Sequence, residues 1–244
     1  MFFQVGQRQE VVEVGGLVYA VGDIHGRLDL LRLALERIKA HAAGRPKHLL
    51  FLGDYVDRGP DSRGVVERVM ALEQAGQATC LKGNHENMMA LAVRDRGVAI
   101  ARWLDMGGDA TLRSYGLKRR GPASPLLEAH AEWMAGLPLV ARDRHRIYVH
   151  AGLVPGRPPE RQSTRTCLWI RERFLEAAAE DLPGHVVHGH TPVWQGKPDL
   201  SRPELLAHRT NLDTGAYRTG VLTVAVFEPD GPPPPAEVLT IQPD

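Results

Sequence analysis

Gly53-Asp54-Tyr55-Val56-Asp57-Arg58-Gly59 follows the apolar run Leu49-Leu50-Phe51-Leu52. A short apolar run that ends in glycine and then acid predicts a buried strand delivering two carboxylates and a guanidinium to one end of a sheet. Other apolar runs end the same way. Leu17 to Val21 leads into Gly22-Asp23-Ile24-His25-Gly26, and Ala78 to Lys82 leads into Gly83-Asn84-His85-Glu86. Arg146 to Val149 ends in His150-Ala151-Gly152, and Val186-Val187 ends in His188-Gly189-His190-Thr191.

Helical patterns separate the first of these strands. Leu28, Leu31, Leu35, Ile38 and Ala42 recur at helical spacing, Pro60-Asp61-Ser62 opens a helix through Val65, Val69 and Leu72, and Asn87 to Arg94 continues the rhythm. Strand alternating with helix predicts an α/β fold with a parallel sheet covered by helices. Before it, Val11 to Val14 and Leu17 to Val21 flank Gly15-Gly16 and read as a hairpin. The segment 97–138 holds no strand pattern, only helical pieces around Trp103 and Leu126 to Met134, broken by Gly107-Gly108 and Pro122. It reads as a helical cap or insertion beside the site, within one domain spanning 1–244. Further on, Leu137 to Ala141 and Arg146 to Val149 read as a hairpin around Asp143, and Leu168 to Ala179 as a helix. Thr210 to Leu212, Val221 to Phe227 and Glu237 to Ile241 read as strands, separated by Asp213-Thr214-Gly215 and by a stiff connector, Pro232 to Pro235.

The 244 residues suffice for a substantial core, and 43% hydrophobic with 24% charged residues excludes a disordered or disulfide-dense class. Thirty basic against 29 acidic residues give a formal +1, so net charge predicts neither a nucleic-acid nor a membrane partner. Cys80 and Cys167 are far apart with no Cys-x-x-Cys pair, which suits a reducing compartment. Polar residues interrupt Met1 to Val14, and no run approaches transmembrane length, so the expected location is cytoplasmic.

Ligands of open α/β sheets collect at the carboxyl ends of the strands, which brings these motifs together. Asp23, His25, Asp54, Asn84, His150 and His190 offer oxygen and nitrogen without thiolate, a set suited to Mn, Fe, Co or Zn. Six such side chains exceed what one ion takes while keeping a position open, so two ions sharing Asp54 are expected. Two divalent ions less two carboxylates leave a charge of about +2, which favours an anion, phosphate above all.

Together, Gly22-Asp23-Ile24-His25-Gly26, Gly53 to Gly59, Gly83-Asn84-His85-Glu86, His150-Ala151-Gly152 and Gly189-His190-Thr191 resemble the signature set of the phosphoprotein phosphatase (PPP) family, in the order and spacing of its small bacterial and phage members. The resemblance spans Val18 to Gly215. It implies a calcineurin-like metallophosphoesterase fold, with a central double β-sandwich flanked by helices, a dinuclear metal centre with manganese foremost, and hydrolysis of phosphate esters by metal-bound hydroxide. Carried over, it puts Asp23, His25 and Asp54 on one metal and Asp54, Asn84, His150 and His190 on the other. His85 becomes the general acid and Asp57 its orienting partner. Arg58 and Arg171 hold phosphate oxygens, with Arg173 as the competing reading for the latter.

The implied activity is that of a serine/threonine-type protein phosphatase that also hydrolyses small aryl phosphates, so the expected partner is a phosphorylated protein or small phosphate ester. The alternative is hydrolysis of dinucleoside polyphosphates such as diadenosine tetraphosphate. Relatives with that activity commonly lack the second carboxylate of the Asp-x-x-Asp-Arg-Gly motif, so Asp57 favours the phosphatase branch. His188 lies on the His190 side of its strand, and reads either as support for the site or as packing. Lys118-Arg119-Arg120 reads as a solvated face. Trp103 to Gly116 resembles a region between the third and fourth motifs of the bacterial relatives, and is expected to shape the leaving-group side of the pocket.

Overall fold

A computed structural model describes residues 11–95, 97–119, 124–194 and 201–243. The readings of the first ten residues, of Arg120 and of Pro122 lie outside them. In chain order the elements begin β1 (Val11–Glu13), β2 (Leu17–Val21), α1 (Leu28–Ala42), β3 (Lys47–Phe51), α2 (Ser62–Gln74), β4 (Ala78–Cys80) and α3 (Asn84–Arg94). A helical stretch follows, α4 (Val98–Trp103), α5 (Asp109–Ser114) and α6 (Pro125–Gly136). The second half comprises β5 (Val140–Arg142), β6 (Arg146–Val149), α7 (Thr164–Trp169), α8 (Glu172–Leu175), β7 (His185–His188), β8 (Glu204–Leu205), β9 (Arg209–Asn211), α9 (Ala216–Thr219), β10 (Leu222–Phe227) and β11 (Glu237–Ile241).

Two mixed sheets face one another. The first has the order β11-β10-β2-β3-β4 and the second β1-β5-β6-β7-β9-β8. Strand alternation explains the layering. Tyr19, Val21, Leu49 and Phe51 turn outward against Leu31, Ile38, Val65 and Val69 of the helices. Their neighbours Val18, Ala20, Leu50 and Leu52 turn inward against Tyr148, Val187, Leu212 and Phe227. Because both faces of β2 and β3 are covered, these strands read as unbroken apolar runs. Each buried Leu or Val contributes roughly 1.5–3 kcal/mol. A third cluster packs Val140, Ile147, Val149 and Val186 under Leu168 and Phe174.

Three expectations need correction. The hairpin at Gly15-Gly16 does not form: β1 pairs in parallel with β5 in the other sheet, because β2 already has β3 on one edge and β10 on the other. The link is a crossing between sheets. The helix expected over Leu168 to Ala179 is interrupted, since Ile170 and Arg171 leave helical geometry between α7 and α8. The helix expected from Asn87 begins at Asn84, because the Glu86 side chain accepts from the Gly83 N–H and caps it. The converging strand ends belong to two sheets, the double β-sandwich that the resemblance implies, within which β2, β3 and β4 form the parallel run that strand–helix alternation predicts. No helix among the described residues is long and apolar enough to cross a membrane.

Candidate active site

The motifs meet at one end of the sandwich. Loops after β2 and β3 bring Asp23, His25, Asp54, Asp57 and Arg58, the first turn of α3 brings Asn84 and His85, and the ends of β6 and β7 bring His150 and His190. All are buried except Arg58. The backbone is contorted to do this: His25, Asp54, Asp57, Arg58 and His190 all have positive φ, between 46° and 73°. Such a conformation costs a non-glycine residue on the order of 1–3 kcal/mol. The loops at Gly53 and Gly83 also touch, and a Cβ on Gly53 would lie 2.6 Å from the Gly83 nitrogen. Glu86 clamps them. Its carboxylate accepts from the N–H groups of Asp54 (2.7 Å), Tyr55 (2.8 Å), Val56 (3.3 Å) and Gly83 (2.9 Å). Burial and the nearby Asp54 nonetheless push Glu86 up to about 8.

The donor set fits cations. His150 donates from Nδ1 to the Leu52 carbonyl (3.0 Å), which leaves its Nε2 lone pair facing Asn84 Oδ1 at 2.9 Å and Asp54 Oδ1 at 3.3 Å. His190 approaches the same Asn84 oxygen with Nδ1 at 2.9 Å, and its buried Nε2 has no partner among the described residues. Burial, then the neighbouring His150, holds His190 down to about 2, so the ring is neutral. Acceptors facing acceptors in a dry site call for a positive ion between them. Asp54, His150 and His190 form one group whose ligand atoms lie within 4.8 Å of one another, and His25, Asp54 and His85 form another. His25 is also preset, since Nδ1 donates to the Val56 carbonyl (2.8 Å) and Nε2 is left as a lone pair.

Asp23 stands outside both groups. It accepts from the His190 N–H at 3.1 Å, and burial with the adjacent Asp213 and Asp54 raises its pKa well above the usual carboxylate range. Burial raises Asp213 as well, to about 6. Three acids crowded in this way gain from a cation. Asp54 goes the opposite way: burial would raise it, but His150, His85, His25 and His190 outweigh that and keep it ionised.

Beside this lies a dyad. His85 Nδ1 donates to Asp57 Oδ2 at 2.6 Å with both groups buried. Burial opposes a charged ring, but Asp54 and Asp57 prevail and raise the His85 pKa. Arg58 donates from Nη1 to His25 Nε2 (2.9 Å) and from Nη2 to His85 Nε2 (3.0 Å), and its guanidinium lies over the Tyr217 ring. Arg171, at the break between α7 and α8, is half-buried and donates to Thr191 Oγ1 at 2.8 Å, beside His190, whereas Arg173 is exposed. His188 is buried with its ring edge-on to Phe174 and Nδ1 donating to the Gly189 carbonyl (3.0 Å).

Glu86, Asp213, Trp103 and Thr111 were not singled out from sequence as site residues. Asp213 carries the same signal as the others, an acid after the apolar end of a strand and before a glycine. Glu86 closes a motif already noted. Trp103 and Thr111 lie in the segment already expected beside the leaving-group side, but nothing in the sequence singled out these two side chains within it.

Two sheets flanked by helices, with acids and imidazoles gathered at one end of the sandwich, define a metal-assisted phosphoester-cleaving class. Residues 16–219 match the calcineurin-like phosphoesterase model, and the chain belongs to that family. It is similar to serine/threonine-protein phosphatase 1 of Salmonella typhimurium, 30% identical over 213 residues that cover 85% of this chain and 90% of that protein. It is also similar to the asymmetrical bis(5'-nucleosyl)-tetraphosphatase PrpE of Bacillus thuringiensis, 28% identical over 225 residues covering 83% and 87%. A serine/threonine phosphatase structure from Saccharomyces cerevisiae, with similarity to human phosphatase PP5, superposes with a TM-score of 0.63 over 98% of this chain and 85% of that one at 15% identity.

Proposed function

We propose that this protein is a metal-dependent phosphomonoesterase acting on phosphoserine and phosphothreonine in proteins, and on small aryl phosphates. The observation that carries the reading is the buried His85–Asp57 pair at the edge of the acceptor cluster. Asp23, His25, Asp54, Asn84, His150 and His190 would hold two divalent ions, manganese foremost, with Asp54 shared. When bound, the ions supply Lewis-acid activation of water and of the phosphoryl oxygens.

The chain's own residues supply the rest. Arg58 and Arg171 bind the phosphoryl oxygens with planar N–H forks and orient the ester for in-line displacement. Phosphate engaging the Arg58 N–H groups frees the His85 Nε2 lone pair to take up a proton, which the charged ring then gives to the leaving serine oxygen. Asp57 holds the opposite ring nitrogen, fixing the ring and stabilising its charged form. Free, buried Cys80 and Cys167 support a reducing, cytoplasmic setting.

Dinucleoside polyphosphate hydrolysis is the second reading, favoured by the comparable coverage of the tetraphosphatase relative. Metal-stripped protein reloaded with manganese distinguishes the two when it is offered 4-nitrophenyl phosphate, a phosphoserine peptide and diadenosine tetraphosphate, with His85→Asn as control. Metal-dependent turnover of the first two with little of the third is expected. A wide preference for the dinucleotide overturns the phosphatase reading.

A further inference from the structure

We infer that Trp103 and Thr111, contributed by the helical stretch beyond α3, are positioning residues for proton delivery to the leaving group. The inference rests on the reading of His85 as the acid. Both side chains converge on one carboxylate. Thr111 Oγ1 donates to Asp57 Oδ1 at 2.6 Å, and Trp103 Nε1 lies 3.0 Å from each Asp57 oxygen. The Asp57 backbone N–H is held by the same Thr111 hydroxyl at 2.9 Å and by Ser62 Oγ at 3.0 Å. Trp103, Asp57 and Thr111 are all buried.

These contacts leave Asp57 one open direction, which His85 Nδ1 fills. A carboxylate with a single remaining acceptor position fixes the imidazole plane, and so fixes where Nε2 points. The local backbone is shaped for this. Gly107, with φ of 109°, bends the chain between Trp103 and Thr111, so that residues on both sides of the bend reach the same acid. The Gly107 carbonyl accepts from the Arg58 N–H at 3.2 Å, and a Cβ there would lie 2.9 Å from Arg58 Cγ. At Gly108 a Cβ would lie 2.7 Å from the Trp103 ring. The stretch is therefore seated on the Asp57–Arg58 corner by its two glycines, and touches the acid through its two polar side chains.

The test uses the manganese-loaded enzyme and two substrates of one reaction. A phosphoserine peptide expels an alkoxide that needs a proton, whereas 4-nitrophenyl phosphate expels an anion stable without one. Trp103→Phe keeps the ring and removes the N–H. Thr111→Val keeps the shape and removes the hydroxyl, and Thr111→Ser restores it. We expect kcat on the peptide to fall roughly 10- to 100-fold in the first two variants, with kcat on 4-nitrophenyl phosphate falling less than about 3-fold and KM nearly constant. Thr111→Ser returns the ratio toward wild type. The ratio is internal to each sample, so a partly unfolded preparation lowers both rates and leaves it unchanged. In metal-free protein, the downfield Nδ1 proton resonance of His85, assigned by its loss in His85→Asn, is expected to shift or broaden in Thr111→Val. If His85→Asn slows both substrates equally, the acid assignment itself fails. If His85→Asn is selective while Trp103→Phe and Thr111→Val keep the wild-type ratio and resonance, or slow both substrates equally, the positioning role alone is overturned.

Discussion

Glu86 shows how much of the site hangs on one side chain that touches no substrate. Its two oxygens receive four amide N–H groups from the loops that carry Asp54 and Asn84. In Glu86→Gln one oxygen becomes an NH2 group, and two of those amides then face a donor in a buried place. At about 1–3 kcal/mol for each unsatisfied group, the variant is expected to lose roughly 2–5 kcal/mol in urea unfolding. A loss below about 0.5 kcal/mol would show that the clamp is dispensable. His188 gives a pH signature. Burial keeps its pKa at about 3, below that of the unfolded chain, so its stabilising term is complete above the unfolded value and is lost as pH falls toward 3. The unfolded state takes up the proton first. His188→Leu should therefore lose about 2 kcal/mol less than wild type between pH 7 and pH 5, when unfolding curves are compared at the two pH values. Equal losses in both proteins would mean that His188 is not held neutral.

Among the elements, Arg146 in β6 has an outsized reach. It is buried, pairs with Asp143 (2.8 Å), and donates to the carbonyls of Pro232 (2.8 Å), Pro233 (2.9 Å) and Glu228 (3.2 Å), which ties the proline connector between β10 and β11 to the other sheet. Arg146→Ala is expected to cost about 3–5 kcal/mol, because Asp143 and several carbonyls lose a buried partner. A shift of less than about 2 °C in the thermal midpoint would contradict this. Strand positions were readable in the sequence because β2, β3 and β10 are apolar on both faces, and the motifs were readable because each follows such a strand. Pairing partners were not. Nothing local to Val11 or Leu17 tells that β10, two hundred residues on, will occupy the edge of β2 and send β1 to the other sheet. The interruption at Ile170 and Arg171 escaped for a related reason, since the apolar spacing runs through it and the partner that Arg171 meets there, Thr191, is distant in sequence. Trp103 escaped because a tryptophan at a helix-core spacing announces packing, and its N–H finds Asp57 only in three dimensions.

At the scale of the whole molecule, the site joins the two sheets: β2, β3 and β4 lead into Asp23, Asp54 and Asn84, while β6 and β7 lead into His150 and His190. An ion held by residues from both halves opposes their separation. Metal-stripped protein is therefore expected to gain about 2.7 kcal/mol, some 5–10 °C in thermal midpoint, when manganese is added at a hundred times its dissociation constant near neutral pH. The gain should shrink toward pH 5, where the Asp23 carboxyl, whose pKa burial and the neighbouring acids raise, must lose its proton to bind the ion. A midpoint indifferent to every divalent ion would refute the dinuclear reading. The positive φ angles at His25, Asp54, Asp57, Arg58 and His190 carry a different lesson. Glycine would sit in those conformations without strain, yet it would bring none of the chemistry. A laboratory population propagated under heat selection alone, with no demand for turnover, would be drawn toward glycine at an exposed corner such as Arg58, so inheritance of these side chains depends on continued demand for the reaction.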